Sequence, residues 1–350
     1  MNLSIYDTAT LVQVVRNLKR PSQFLLDAFF PNIIEYTTKE FAIDVDAGKR
    51  RLAPFVSPLV QGKPVESRGI ATSLFAPAYI KDKRGLDPFR PVMRAIGERI
   101  GGDLTPVERE MANLQYELED QVQMIDRRLE WMAAQELQTG SVTIAGEGYP
   151  TQQVNFQRDA SLTVILASGA QWTAANVGTP AAPGAVRPSQ NIDAWAAQVL
   201  QMSGAVVSDI VFTPSAYNAF LLDYRVVGTI QFPPGEGGAV DITGGITVGA
   251  QFKGVWGSYR LWLYNDWYVD PDTDVQYPML TDGNIIIASR QMQGVRAFGA
   301  IVDPQFAYGA LAYAPKSWLV EDPPQRWIMM QSAPMLVPSR VNASMCVKVV

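Results

Sequence analysis

Residues 105–140, TPVEREMANLQYELEDQVQMIDRRLEWMAAQELQTG, constrain this chain more than any other stretch. Thr105 suits an N-cap, Pro106 the first helical position, and Glu108 closes a capping box with Thr105. Val107, Met111, Leu114, Leu118, Val122, Ile125, Leu129 and Met132 recur in steps of four and three, which puts them on one stripe of a helix. Glu110, Glu117, Asp120, Arg127, Arg128 and Glu130 fall on the opposite face. No proline interrupts positions 107–138, and Gly140 is a natural stop. At 1.5 Å per residue the rod is roughly 50 Å long. That exceeds the span of a small domain, so something extended must lie along its apolar stripe. A coiled coil or plain bundle would need a partner helix of similar length, and the flanking sequence reads mostly as strand and loop.

The residue inventory removes most catalytic chemistry. The chain of 350 residues has no histidine, so the commonest general base and metal ligand are missing, and with them Ser-His-Asp triads and the usual zinc sites. Cys346 is the only cysteine, which excludes an intrachain disulfide and thiolate metal clusters. Asp270, Asp272 and Asp274 alternate like the start of a calcium loop. Val275 and Thr281, however, stand where such a loop needs Gly and Glu, so a solvated turn is expected. Gly48-Lys49 and Gly62-Lys63 lack the Ser or Thr of a phosphate loop, and the glycines at 235–249 do not form GxGxxG. No catalytic residue, cofactor or metal site is predicted.

Charge points the same way. The net charge is −5, which argues against a dedicated nucleic-acid binder. It is unevenly placed: residues 1–104 carry 15 Lys/Arg against 11 Asp/Glu, and residues 105–350 carry 14 against 23. A basic front and an acidic remainder can attract each other between subunits. Charged residues make up only 18%, below the usual quarter, as expected of a surface covered by neighbouring chains. No window reaches eighteen uninterrupted apolar residues and the N-terminus lacks a signal-peptide pattern, so neither membrane insertion nor secretion is expected.

The front of the chain reads as arms. Leu11, Val12, Val15 and Leu18 predict a short helix capped by Thr8 or Thr10. The aromatic run SQFLLDAFFPN that follows must dock on the body or on another chain. Residues 33–57 have strand character. Residues 52–90 alternate short apolar pieces with Pro and Gly and predict a long hairpin, its tip near Gln61–Gly69. The tip residues Gly62, Lys63, Pro64, Glu66, Arg68 and Gly69 have too little apolar content to pack within their own subunit. Lys81, Lys83 and Arg84 form a small basic patch, read as a solvated arm or an intersubunit ion pair.

Beyond the rod, SVTIAGEGYPTQQVNFQRD predicts a hairpin turning at 146–150. The Ala/Gly/Pro-rich stretch 174–190 is the best boundary. After it come a helix capped by Asn191, a strand at VVSDIVF, a helix opened by Thr213-Pro214, and strands near 251–269, 284–289 and 295–302. RWIMMQSAPML has strand character near the end. The fold class is therefore α+β, and the organisation is that of a self-assembling structural protein rather than an enzyme.

Several long blocks resemble the major capsid (head) proteins of lambda-type tailed phages: FLLDAFFPNIIEYTTKEFAID, FVSPLVQGKPVESRG, SLFAPAYIKDKRGLDP, the IAGEGYP turn and IMMQSAPML. The likeness runs over essentially the whole length. It implies the Hong Kong 97-type capsid fold, with an N-terminal arm at 1–40, P-domain strands and an extended E-loop at 41–90, and a P-domain at 91–189 whose spine helix is 105–139. An A-domain at 190–305 and a C-terminal return to the P-domain at 306–350 complete it. The resemblance further implies hexamers and pentamers in an icosahedral virion shell, assembled in the host cytoplasm around double-stranded DNA that is enclosed without sequence-specific binding. The implied partners are a portal protein, a decoration protein in some relatives, and a scaffolding protein. The scaffold is expected to be separate, because the N-arm pattern begins without a charged helical leader. An encapsulin-type nanocompartment shell shares the fold and differs in holding enzymes instead of DNA. A histidine-free carboxylate hydrolase is the remaining alternative and would elute as a small oligomer.

Overall fold

A computed structural model of the chain describes residues 6–18, 23–38, 40–46, 52–53, 55–59, 61, 70–89, 92–93, 104–146, 148–177, 185–227, 229–230, 246–247, 249–322 and 325–350. The arms come first: helices α1 (Thr8–Asn17) and α2 (Phe24–Phe29), then strands β1 (Asn32–Glu35), β2 (Phe41–Asp46), β3 (Ile70–Phe75) and β4 (Ile80–Leu86). The long helix α3 (Pro106–Thr139) follows, and then the hairpin β5 (Ser141–Gly146) and β6 (Tyr149–Asn155). Next are β7 (Thr163–Ile165), α4 (Ala174–Val177), α5 (Pro188–Ser203), β8 (Asp209–Phe212), α6 (Pro214–Phe220) and α7 (Tyr224–Val227). The remainder is strand: β9 (Ile246–Thr247), β10 (Ala250–Trp256), β11 (Tyr259–Tyr264), β12 (Trp267–Val269), β13 (Gln276–Pro278), β14 (Asn284–Ala288), β15 (Val295–Phe298), β16 (Ala314–Val320), β17 (Gln325–Ser332), β18 (Pro334–Val337) and β19 (Ser344–Lys348).

The predicted rod forms as expected. Thr105 accepts from the Glu108 N–H, and the Glu108 carboxylate accepts from the Thr105 N–H at 2.7 Å, so both halves of the capping box are present. Gly140 ends the helix at φ 71°. A Cβ there would lie 2.6 Å from the Cβ of Arg158, so glycine serves both the left-handed conformation and the close approach. The stripe needs one correction. Leu114, Leu118, Val122, Ile125, Leu129 and Met132 are buried, but Val107 and Met111 are 62% and 51% exposed. The first turns of α3 project beyond the core, and the apolar stripe continues into solvent.

A seven-stranded mixed sheet, ordered β7-β19-β14-β8-β11-β10-β9, carries the second half of the chain. Its central strands are covered on both faces, so they read as unbroken apolar runs such as Ile210-Val211-Phe212 and Ile285-Ile286-Ile287. The two-residue period sorts them. Ile210, Phe212, Ile285 and Ile287 face one core with Ile192, Val199 and Phe220 of α5 and α6. Val211 and Ile286 face the other, with α3 and the N-terminal segment. A smaller sheet, β16-β17-β4, joins the end of the chain to the strand after the hairpin. Another, β1-β15-β18, takes the N-terminal arm as an edge strand.

Several local expectations are corrected. α1 begins after Asp7, with no side-chain cap, rather than at a capping Thr8 or Thr10. α5 begins at Pro188, whose fixed φ suits a first turn, three residues ahead of Asn191. Among the described residues of 52–61 there is no strand. The strand that pairs with β3 is therefore not in 52–60 but is β2, ahead of the predicted hairpin, antiparallel with Phe41 opposite Phe75 and Asp46 opposite Ile70. The aromatic run 23–30 docks on the body of its own subunit, with Phe24, Leu25, Leu26, Phe29 and Phe30 buried.

Candidate functional site

The described surface offers places for another chain rather than a reaction centre. Cys346 is buried, and burial pushes its thiol up to about 11, so it is inert. Among the described residues no cluster of three or more His, Cys, Asp or Glu converges as a metal site. Asp270, Asp272 and Asp274 form a turn in which the Asp270 side chain accepts from the Asp272 N–H at 2.8 Å. The hairpin-tip residues Gly62, Lys63, Pro64, Glu66, Arg68 and Gly69 lie outside the described residues.

α3 positions everything around it, and it does so with polar side chains spaced along its length. Gln121 donates to the Asp82 carbonyl of β4 at 3.1 Å. Asp126, buried, accepts from the Tyr313 hydroxyl. Glu130 accepts from the N–H groups of Leu25 and Leu26 at 2.9 and 3.1 Å and from the Tyr264 hydroxyl at 3.0 Å. Gln135 accepts from the Thr143 N–H of β5, and Gln138 bridges to the Met279 carbonyl and the Thr281 N–H. Each peg holds a different segment. Glu130, assigned from its spacing to the exposed face, is only 1% exposed. Burial raises its carboxyl to about 7 against the pull of three donors.

The C-terminal end of α3 is held by Arg158, which donates to the Leu137 and Gln138 carbonyls at 2.7 and 2.6 Å. A cation on the last carbonyls suits the negative end of a helix. Burial raises the Glu136 carboxyl to about 7, and the nearby Arg158 charge partly offsets this. Arg158 had no signature in sequence, because it sits in a loop eighteen positions beyond the helix cap.

Within the basic patch Arg84 turns toward α3, while Lys81 and Lys83 stay exposed. Arg84 pairs with Asp82, Glu117 and Asp120, at 2.6 Å to the last, and so ties β4 to α3. Lys83 lies 4.1 Å over the Trp327 ring of the neighbouring strand. These contacts are within one subunit and concern Arg84 and Lys83; Lys81 and Lys83 themselves remain solvent-exposed, as a solvated patch would be.

Two uncovered surfaces among the described residues bear on assembly. One is the flank of the hairpin: Leu52, Phe55 and Leu59 are 96%, 106% and 96% exposed. Side chains of this size each gain about 1.5–3 kcal/mol on burial, so a partner that covers them is strongly favoured. The other is a groove of about 960 Å³ beside α3, between β4, the β5–β6 hairpin and β12. Trp131 and Tyr268 meet edge-to-face at 6.4 Å on its floor, with Ile144 beside them. Lys81 and Arg128 line one part of it, and the Asp270–Asp272 turn lines another.

Comparison with known proteins fits this surface. Residues 7–349 match the family described as phage major capsid protein E. The chain is 27% identical to the major capsid protein of Enterobacteria phage phi80, over 99% of each chain. It is 26% identical to the major capsid protein of Escherichia phage lambda, over 96% of each. Its fold is similar to the crystal structure of a prophage protein of E. coli CFT073, with a TM-score of 0.77 and 21% identity over 98% of this chain and 99% of that one.

Proposed function

The chain belongs to the phage major capsid protein E family, and we propose that its copies associate as hexamers and pentamers and close into an icosahedral head shell around a double-stranded DNA genome. The family is structural: this is a shell-forming component of the virion capsid and not an enzyme. In this reading residues 1–40 are the N-arm, 41–90 hold the P-domain strands and E-loop, and 91–189 are the P-domain around the spine helix 105–139. Residues 190–305 are the A-domain, and 306–350 return to the P-domain. A scaffolding protein directs assembly, a portal protein occupies one vertex, and a decoration protein is the optional outer partner. The DNA is enclosed without sequence readout, in keeping with the acidic balance of residues 105–350.

One observation carries this reading. The same subunit displays fully exposed Leu52, Phe55 and Leu59 on its hairpin flank and an open groove floored by Trp131 and Tyr268. In a closed shell the hairpin of one copy crosses the body of the next, so every copy both gives and receives. A pair of surfaces related in this head-to-tail way generates rings when the rotation closes. The test is expression of the full chain with its scaffold, followed by size-exclusion chromatography and negative-stain microscopy. Capsomers and closed particles are expected. A monodisperse monomer or small oligomer under all assembly conditions overturns the reading.

A further inference from the structure

The groove beside α3 has a form that narrows what can fill it. It runs between two strands that each have an unpaired side: β4, at the edge of the sheet β16-β17-β4, and β5, which among the described residues pairs only with β6. Its floor is the Trp131–Tyr268 pair, with ring centroids 6.4 Å apart and Ile144 beside them. Asp270 and Asp272 are the only acids among the described residues that line it. A groove between strands suits an extended chain, and an aromatic floor suits one in the polyproline conformation.

Residues 52–59, LAPFVSPL, in the connection between β2 and β3, have the matching chemistry. Pro54 and Pro58 remove two backbone donors and disfavour the helical region at Ala53 and Ser57. In a polyproline helix three residues make one turn of about 9 Å, so Leu52 and Phe55 fall on one side, spaced to bracket the two rings. Neither is seated on its own subunit, since both are fully exposed. Lys49-Arg50-Arg51 comes directly before Leu52 and carries the charge complementary to Asp270 and Asp272.

We propose that residues 52–59 of a second copy fill the groove as an extended chain, with Leu52 and Phe55 on the aromatic floor and Arg50 and Arg51 toward the Asp270–Asp272 turn. The reverse direction takes the basic lead away from the only acids of the groove, so charge sets the polarity of the contact as well as the partner. This contact rests on the shell reading and adds to it the surfaces that meet, the form of the segment and its direction.

The experiment is disulfide trapping in particles of the full-length chain assembled with its scaffold. Cys346 is buried and does not compete. Phe55→Cys combined with Ile144→Cys should link copies head to tail and give a ladder from dimer upward on a non-reducing gel. The ladder should be about tenfold stronger than that of Phe55→Cys combined with Ile165→Cys, an exposed position outside the groove. Particles with no ladder, or with no more than the control, overturn this proposal and leave the shell reading standing; a different occupant of the groove gives that result. No particles from the unmodified chain overturns both. Should the cysteine pair prevent assembly, charge exchange decides. Asp270→Lys with Asp272→Lys should lower the particle yield about tenfold, and adding Arg50→Glu with Arg51→Glu should restore it. An unchanged yield, or no recovery, overturns the proposal.

Discussion

The two halves of α3 share one helix and obey different rules. From Pro106 to about Asp120 the helix is amphipathic in the ordinary sense. Leu114 and Leu118 are buried, Glu117 and Asp120 lie in the ion-pair network with Arg84, and Val107 and Met111 stand in solvent. From Gln121 onward the helix is enclosed on most sides, and buried positions include Asp126, Glu130 and Glu136 as well as Leu129, Met132 and Leu137. Polar residues in the outer half mostly meet water or surface charge, Glu110 excepted, which accepts from the Tyr6 hydroxyl. In the inner half they fasten the arm, the sheet and the end of the helix. The difference teaches that a polar residue opposite an apolar stripe is not thereby a surface residue. On a helix that runs into a body, it can be the point where another segment is held.

The sharpest way to break this comparison is to put a charge in each half. Leu118→Asp and Ile125→Asp place an unpaired carboxylate in packed core and remove a full side chain, so each should cost more than about 4 kcal/mol. Val107→Asp and Met111→Asp should leave subunit stability within about 0.5 kcal/mol, because both positions already face water. Chemical denaturation with far-UV detection reads all four. Equal losses at Met111 and Leu118 would show that the stripe is buried throughout.

A second test addresses the inner half alone. Burial pushes the Glu130 and Glu136 carboxyls up to about 7 in the folded subunit, above the ordinary carboxylate range. For an acid whose folded value is raised, the folded state binds more protons, so stability is greatest below the ordinary range. It declines as pH rises toward 7 and is flat beyond. Glu136→Gln should remove part of that decline and leave the remainder to Glu130. Thermal melts from pH 5 to pH 8 measure it. A wild-type profile that rises over this window would contradict the placement of both carboxylates.

The outer half should respond weakly to loss of a charge. Glu117→Gln removes one partner from Arg84, which keeps Asp82 and Asp120, so the cost should be about 0.5 kcal/mol or less. Trp327→Ala should cost more, since it takes away a half-buried ring and the partner under Lys83.

What was legible in the sequence follows the same division. The capping box, Pro106 and Gly140 are local signals, and they located α3 to the residue at both ends. The β5–β6 hairpin was also local, with Gly148 at φ 73° in its turn. β8 and β14 were legible as strands at VVSDIVF and 284–289, although nothing in those runs says which elements cover their two faces. The polar pegs were not legible, because Glu130 meets Leu25 across 105 positions of chain and no periodicity encodes such a partner. The α3 partners of Arg84 were not legible for the same reason: Glu117 and Asp120 lie more than thirty positions away.

The smallest effect on the subunit should come from the part of the chain that contributes least to it, the hairpin tip. QGKPVESRG, residues 61–69, has one valine among charged and turn-forming residues, so it can add little to any core. Its neighbours differ in kind. β2 and β3 hold each other in register, and Leu52, Phe55 and Leu59 stand uncovered on the flank. If the tip reaches an adjacent copy, Lys63 and Arg68 meet a chain whose residues 105–350 carry 23 acidic against 14 basic side chains. A single exposed pair is worth about 0–1 kcal/mol, but a closed shell repeats it at every subunit, so a term too small to matter to folding bears on assembly. Deleting 62–68, or reversing Lys63 and Arg68 together to Glu, should leave the far-UV spectrum and melting temperature unchanged while preventing shell formation. Normal shells from the double reversal would remove the electrostatic part of the proposal. Normal shells from the deletion would show that the hairpin is not an intersubunit arm, and that Leu52, Phe55 and Leu59 need another partner.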